Sequence, residues 1–330
     1  NTTGHSNVAI GKSALYANTI GLQNVGIGEE TLAANTTGSN NTAVGRRVMQ
    51  YNTTGQSNAA YGYEALKFNT AGSNNMAIGN QTQAFNTTGH SNVAVGTGAL
   101  SLNVSGYWNV AVGSSAGSNN TTNGMTAIGQ YALNSNTTGA GNAALGESAL
   151  RANTTGYQNV AMGANALRYN TTGGANTAFG FESLKSNTTP AYNTAIGYRA
   201  LLANTTGEKS TGVGSLAHYS NTNGFRNSAF GHSSLNSNTT GNNNAANGYM
   251  ALTSNTTGVH NTAVGSLSGA TNSTGNSNTS IGYSALRYNT GSNNTASGVY
   301  SLEDNTTGYS NTATGYAASQ ANTTGYENVA

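Results

Sequence analysis

The sequence predicts an all-β protein: a parallel β-solenoid, or β-roll, of about nineteen 17-residue coils. The first observation is a period. A unit opening on Asn recurs from Asn1, Asn18, Asn35 and Asn52 to Asn289, Asn305 and Asn322, every 17 residues except for steps of 16 after Asn120 and after Asn289. A short fixed period through a whole chain marks a stack in which each unit packs only on its neighbours. The second is an alternation. Numbered from its Asn, the unit reads N-T-T-G-x-x-N-(T/V)-A-(I/V)-G-x-x-A-L-x-x, and positions 7 to 11 place β-branched residues such as Val8 and Ile10 on one face and Asn7, Ala9 and Gly11 on the other. Period two with β-branched residues means a strand. The third is a glycine in register: position 11 is Gly in all nineteen complete units.

Taken in order, the N-T-T-G segment is a turn, positions 7 to 11 are the strand, and positions 13 to 16 are expected to form a second short extended piece before the next turn. No helix of useful length fits between them. Successive strands would pair in parallel at about 4.8 Å, so nineteen coils would extend on the order of 90 Å. Stacking in register places like side chains above one another, and Asn ladders satisfy their amides along the stack. The series from Asn7 and Asn24 through Asn159, and the series of unit-opening Asn residues, are such ladders.

Two glycines have different expected roles. Position 4 is usually Gly but is Pro190 in one unit, the only proline in the chain. Proline fixes φ near −65°, so position 4 does not demand positive φ. The uninterrupted column of Gly11, Gly28 and Gly163 is the better candidate for a left-handed residue or a close backbone approach. Replacing Gly163 with Val is expected to damage a coil more than replacing Gly156.

The interior is thin, with one large residue expected from position 10, one from position 15, and smaller partners at 8, 9 and 14. Ladder hydrogen bonds, and association with other copies where the strand buries its second face, must supply what this core does not. Whether the Ala and Gly face fills the roll while the Ile and Val face meets neighbouring chains, or the reverse, is open at this level. The units from Asn136 to Asn187 are the most regular. Later ones carry His218 at position 15 and Asn247, Ser297 and Thr314 at position 10, so the later third is expected to pack less well. The one-residue deletions fit most easily at a turn. No composition shift marks a second domain, and residues 1–330 are expected to form a single repetitive solenoid cut from a longer fibre protein.

Hydrophobic residues make up 35% and charged residues 6%, and eleven basic against nine acidic residues leave a net charge of +2. That charge is too small to point to nucleic acid or an anionic membrane. There is no cysteine, and no apolar run long enough to span a membrane as a helix. Candidates for chemistry are sparse. Asp304 is the only aspartate, Glu29 and Glu30 are the only adjacent glutamates, and the five histidines fall at different phases and are expected at the surface. A catalytic set, a metal site and a cofactor are therefore not expected, and neither is an enzyme. Two surface features remain. Tyr107 and Tyr157 at position 5, with Tyr198, Tyr249 and Tyr283 at position 12, are possible sugar-stacking contacts, or else cover coil edges or an interchain seam. The N-T-T sequons at Asn35, Asn52, Asn86, Asn136 and Asn153 are possible N-glycosylation acceptors, although a ladder Asn in a turn explains the same residues.

At the strand signature of Asn7-Val8-Ala9-Ile10-Gly11 and Asn92-Val93-Ala94-Val95-Gly96, the chain resembles the YadA-like head repeats of trimeric autotransporter adhesins. The longer NTTGxxNTAIGxxAL form is similar to the repetitive shaft of bacteriophage tail fibre proteins. The likeness covers all 330 residues, with a longer unit that adds the NTTG turn. It implies a left-handed roll, homotrimeric, on a cell or virion surface. The expected role is an extracellular structural fibre or shaft whose partners are further copies of itself, as a trimer or filament, and a host receptor or glycan engaged by parts outside this segment. The alternative is a rod surface that itself binds glycans through tyrosine, or ice through Thr ladders at positions 2 and 3.

Overall fold

The computed structural model describes residues 2–330. It contains nineteen three-residue strands, from β1 (Val8–Ile10) to β19 (Thr312–Thr314), one per coil at positions 8 to 10 of the repeat. The chain divides into two compact units, Asn1–Ala164 and Asn165–Ala330, and each is a parallel β-solenoid. The first holds β1 to β10 (Val160–Met162), and the second holds β11 (Thr177–Phe179) to β19. Within each unit consecutive strands pair in parallel and in register, as in Val93↔Val110 and Thr194↔Thr211. The two one-residue deletions leave register intact: Val110 pairs with Thr126 in the first unit and Thr279 with Thr295 in the second. Both are absorbed in the N-T-T-G turn, where Thr122 and Gly291 take over the carbonyl role that position 4 has elsewhere, accepting from Asn109 and Asn278 at 2.8 Å.

The open question of the two strand faces is decided. Position 9 points inward: Ala43, Ala60, Ala94, Ala178 and Ala229 are all fully buried. Positions 8 and 10 point outward, and Leu145 in the first unit is 46% exposed. The core of most coils is thus Ala, or a small Ser or Thr, at positions 9 and 14, Leu at position 15, and two buried Asn columns. Leu66, Leu150, Leu235 and Leu302 are 0% exposed. Position 10 is therefore not a core position. Asn247, Ser297 and Thr314 lie on the outer face of the strand and do not thin the core of the second unit, contrary to what the sequence pattern suggested.

The second extended piece expected at positions 13 to 16 is not formed. Positions 13 and 15 adopt left-handed backbone conformations in coil after coil, as in Glu64 (φ 56) and Leu66 (φ 49), and so does position 6, as in Ser57 (φ 56). Left-handed non-glycine residues are uncommon, and a bulky one is an outlier that its surroundings must hold in place. Here the holding comes from bonds to both neighbouring coils. The amide of Glu30 donates down to the Lys12 carbonyl at 2.8 Å, and the amides of Leu32 and Ala34 donate up to Val48 and Gln50 at 3.0 Å. Backbone groups outside the short strands are paired in this way, as buried amides must be.

The Asn columns carry the rest. At position 1, Asn52 Nδ2 donates to Asn35 Oδ1 in the coil below (2.8 Å) and to Gly55 O in its own turn (3.0 Å). At position 7, Asn7 Nδ2 donates to Gly21 O (2.8 Å), Asn7 Oδ1 accepts from the amide of Asn24 (2.8 Å), and Asn142 Oδ1 accepts from the amide of Asn159 (2.9 Å). Thr at position 2 adds its hydroxyl to the same direction, with Thr36 Oγ1 on Thr53 O at 3.1 Å. The position-11 glycines are left-handed, with Gly11, Gly28 and Gly163 at φ 123, 133 and 130, and a Cβ on Gly11 would fall 2.7 Å from the Gly28 carbonyl. Position 4 keeps negative φ but is also a close approach, because a Cβ on Gly139 would fall on the carbonyl oxygen of Gly156.

One irregular coil repairs itself. Gly117 replaces Leu at position 15, and Met125 replaces Asn at position 7 of the next coil. Met125 is 1% exposed, and its Cε lies where a side chain on residue 117 would begin.

Candidate functional site

A solenoid presents its side chains as columns running from coil to coil, so a site here is a stretch of column. Two charged columns of the first unit alternate in sign. At position 12 Glu29 bridges Lys12 (3.9 Å) and Arg46 (3.1 Å), and at position 13 Arg47 bridges Glu30 (2.8 Å) and Glu64 (3.9 Å). Glu182 in the second unit pairs with Lys185 (2.7 Å) and Arg199 (2.8 Å), and Arg287 with Glu303 (3.9 Å). The Lys67 ammonium holds the Glu64 carboxyl below the usual carboxylate range, against its partial burial, and Lys185 does the same for Glu182. Glu30 raises the Arg47 guanidinium, and Glu182 raises Arg199.

The aromatic columns stack along the same direction. Tyr51, Phe68 and Phe85 at position 17 lie 5.3 and 5.2 Å apart. Four of the five candidate tyrosines have one flank taken by a neighbour. Tyr107 stacks on His90 at 4.9 Å and meets Trp108 edge-on, Tyr198 stacks on Phe181 at 5.7 Å, Tyr249 stacks on His232 at 5.6 Å, and Tyr283 meets Tyr300 edge-on at 5.4 Å. Tyr157 is exposed. Tyr198, Tyr249 and Tyr283 share a column but are separated in it by Ser215, His232 and Ser266, so the structure does not bring them into one platform.

The sequon residues lie inside. Asn35, Asn52, Asn86, Asn136 and Asn153 are 0% exposed. Each Nδ2 donates to the Asn of the coil below and to its own position-4 carbonyl, at 2.6 and 3.0 Å for Asn86 and at 2.8 and 2.9 Å for Asn153. Both amide hydrogens are used, and the folded coil has no room for a sugar at these atoms. The glycosylation reading of the five does not fit; the ladder reading does.

His218 corrects the expectation of surface histidines. It occupies the Leu position of its coil, is 0% exposed, and has Nε2 3.1 Å from Asn238 Nδ2. Burial pushes its pKa down to about 3, so it is neutral in the folded chain. Among the described residues no three His, Cys, Asp or Glu side chains cluster closely enough to hold a metal ion. Among the described residues no helix is long and apolar enough to cross a membrane.

Clefts open on the outer surface, among them one in each unit. One, in the first unit, is an apolar groove of about 140 Å³ over Thr126, Ala143, Ala144, Leu145, Val160 and Met162, on the outward strand face. The other, in the second unit, is about 200 Å³ and is lined by Thr206, Glu208, Lys209, Asn223, Phe225 and Arg226. Sequence reasoning missed the second cleft because its two cations lie in different repeats, 17 residues apart, at a variable position of the unit. The signal was two like charges at one phase of adjacent units. No family model matches the chain, and no curated protein sequence matches it.

Proposed function

We propose that this chain is a non-enzymatic structural segment of an extracellular fibre, the shaft of a tail fibre or of a surface adhesin. In this reading it serves as a spacer for an attachment site carried elsewhere on a virion or cell. The observation that supports it most is the direction of the bonds. In each unit the strand amides, the left-handed turns and both Asn columns bond along the stack, so every coil is an interchangeable element that transmits load to the next. Nothing comparable is concentrated at one coil, as a catalytic centre requires.

The outward strand columns favour self-association as part of this role, in the second unit through Phe179, Ile196, Phe230 and Ile281 as well as in the first. Ile78, Val112, Leu145 and Val160 are 38%, 36%, 46% and 39% exposed, and an apolar strip of this kind marks a protein contact. Further copies of the chain, in a trimer or filament, are the proposed cover.

Light scattering on the purified chain tests the association, with a trimer as the expected mass; a monomer at all concentrations removes it. Excision tests the spacer. Removing one whole unit, residues 35–51, is expected to leave the circular dichroism signal per residue and the attachment activity of the parent fibre unchanged. Loss of attachment after a whole-unit excision would overturn the passive role.

A further inference from the structure

The column at position 6 runs Tyr192, Lys209, Arg226, Asn243, His260 in the second unit. Lys209 and Arg226 are therefore neighbours in adjacent coils, locked in register by the bond from the Arg226 amide to the Glu208 carbonyl (3.0 Å). Some charge columns of this chain set acid beside base, as in Lys12, Glu29, Arg46 and in Glu30, Arg47, Glu64, while position 16 also repeats a cation, at Arg168 and Lys185, where Lys185 is paired with Glu182. Like charges stacked on adjacent strands or turns repel. Neither Lys209 nor Arg226 has a carboxylate within 4.0 Å, although Glu208 lines the same cleft. A like-charge pair with no carboxylate partner, at the mouth of a cleft, is the kind of local cost that binding sites carry.

The other walls specify what would relieve that cost. Phe225 is 39% exposed and offers an apolar ring, with the Arg226 guanidinium 5.5 Å from its centroid. Thr206 Oγ1 donates to Asn223 Oδ1 at 2.7 Å, which orients the Asn223 amide and leaves its Nδ2 hydrogens to donate. Glu208 is an acceptor for hydroxyl groups. A volume of about 200 Å³ holds one ring rather than a chain of residues.

We propose that this cleft binds a carboxylated pyranose, a hexuronic or sialic acid unit of an acidic glycan. Arg226 and Lys209 take the carboxylate, Phe225 takes the C–H face of the ring, and Glu208 and Asn223 take hydroxyl groups. A neutral sugar leaves the two cations uncompensated. A bare inorganic anion leaves Phe225 unused and meets Glu208. Nucleic acid needs a longer run of cations than two. The proposal is independent of the spacer role, since it concerns one cleft of the second unit and not the stack.

Saturation-transfer NMR and titration calorimetry on the full chain at low ionic strength test it, with D-glucuronic acid, N-acetylneuraminic acid, D-glucose and sulfate as probes. The expected result is saturable binding of one or both acids, at least tenfold tighter than glucose and than sulfate, and the ratio of the two acids names the source. Arg226→Asn and Lys209→Gln should each weaken the acid at least tenfold, and Phe225→Ala should remove saturation transfer to the ring protons. These substitutions respect the fold, because Asn40 and Gln23 already occupy position 6 and Ala140 occupies position 5 in other coils. Equal binding of glucose and glucuronic acid, sulfate as tight as the acids, no binding of either acid, or an Arg226→Asn variant that binds as the parent does would each overturn it.

Discussion

The two units differ on the outside of the strand and agree on the inside. At position 8 the first unit reads Val25, Thr42, Ala59, Met76, Val93, Val110, and the second reads Thr177, Thr194, Thr211, Ser228, Ala245, Thr262. One residue further along, both read Ala or Gly apart from the buried Ser280, and Ala77, Ala94, Ala195 and Ala263 are all 0% exposed. The inner column is walled by backbone and by Leu of neighbouring coils, so only a small side chain fits. The outer column has no such wall and was free to diverge. What diverged at position 8 is its chemistry, largely apolar in the first unit and hydroxyl-bearing in the second, while position 10 stays exposed and mostly apolar in both, as at Leu145 and Ile281.

The largest test of this agreement is at the shared backbone. Gly146→Val in the first unit and Gly265→Val in the second combine left-handed strain of about 1–3 kcal/mol with a Cβ that meets the next coil's backbone at 2.6 and 2.5 Å. Both are expected to unfold their neighbourhood in hydrogen exchange to the same extent. A clear difference between the units would break the claim that their interiors are equivalent. Next come Ala94→Leu and Ala229→Leu, each expected to cost about 1–3 kcal/mol by overpacking in urea denaturation.

His218 gives the second unit a pH response that the first lacks. Its folded pKa is depressed to about 3, while the unfolded chain takes up the proton near 6.5. The stability is therefore full above pH 6.5 and falls as pH drops toward 3, by about 2 kcal/mol between pH 7 and 5. Glu64 and Glu182 have lowered pKa values, so their contributions are lost as pH falls from the ordinary carboxylate range downward, for the most part below the pH 7 to 5 window. Thermal melts monitored in the second unit should show the slope, and His218→Leu should flatten it and raise the midpoint at pH 7 by removing the unpartnered Nδ1.

A smaller effect belongs to the first unit alone. Gly117→Leu is expected to destabilise it because Met125 fills that space, and the added change Met125→Asn should recover at least half of the loss. Additive losses in the double-mutant cycle would show that the two positions are not coupled. The smallest effects are on the outer face. Val93→Thr and Thr211→Val should each change folding stability by less than about 0.5 kcal/mol, while Val93→Thr lowers self-association in light scattering.

Much of the fold was legible in the chain. The period fixed the coil, the deletions were placed at turns, and the Asn columns were identifiable as ladders, because stacking in register makes every constraint recur at one phase. The exposure of tyrosines at positions 5 and 12, such as Tyr157, Tyr198 and Tyr249, was legible too. The left-handed residues at positions 6, 13 and 15 were not legible. Leu66 and Leu150 carry no Gly or Asn preference, because their conformation is imposed by hydrogen bonds to the coils above and below rather than by local sequence. Nor was the burial of the sequon Asn residues or of His218, which depends on which way a turn folds over the core.

By itself, then, the sequence determined the architecture: a parallel solenoid, its period, its glycine column and its ladders. Those follow from repetition, since a 17-residue unit that pairs with itself has few other ways to satisfy its backbone. The direction in which each strand face points was decided only by the tertiary structure. Alternation distinguishes two faces without saying which is inside, and the choice falls to the volume enclosed by the closed coil. That volume admits Ala at position 9 and Leu at position 15, and so turns Val and Ile outward.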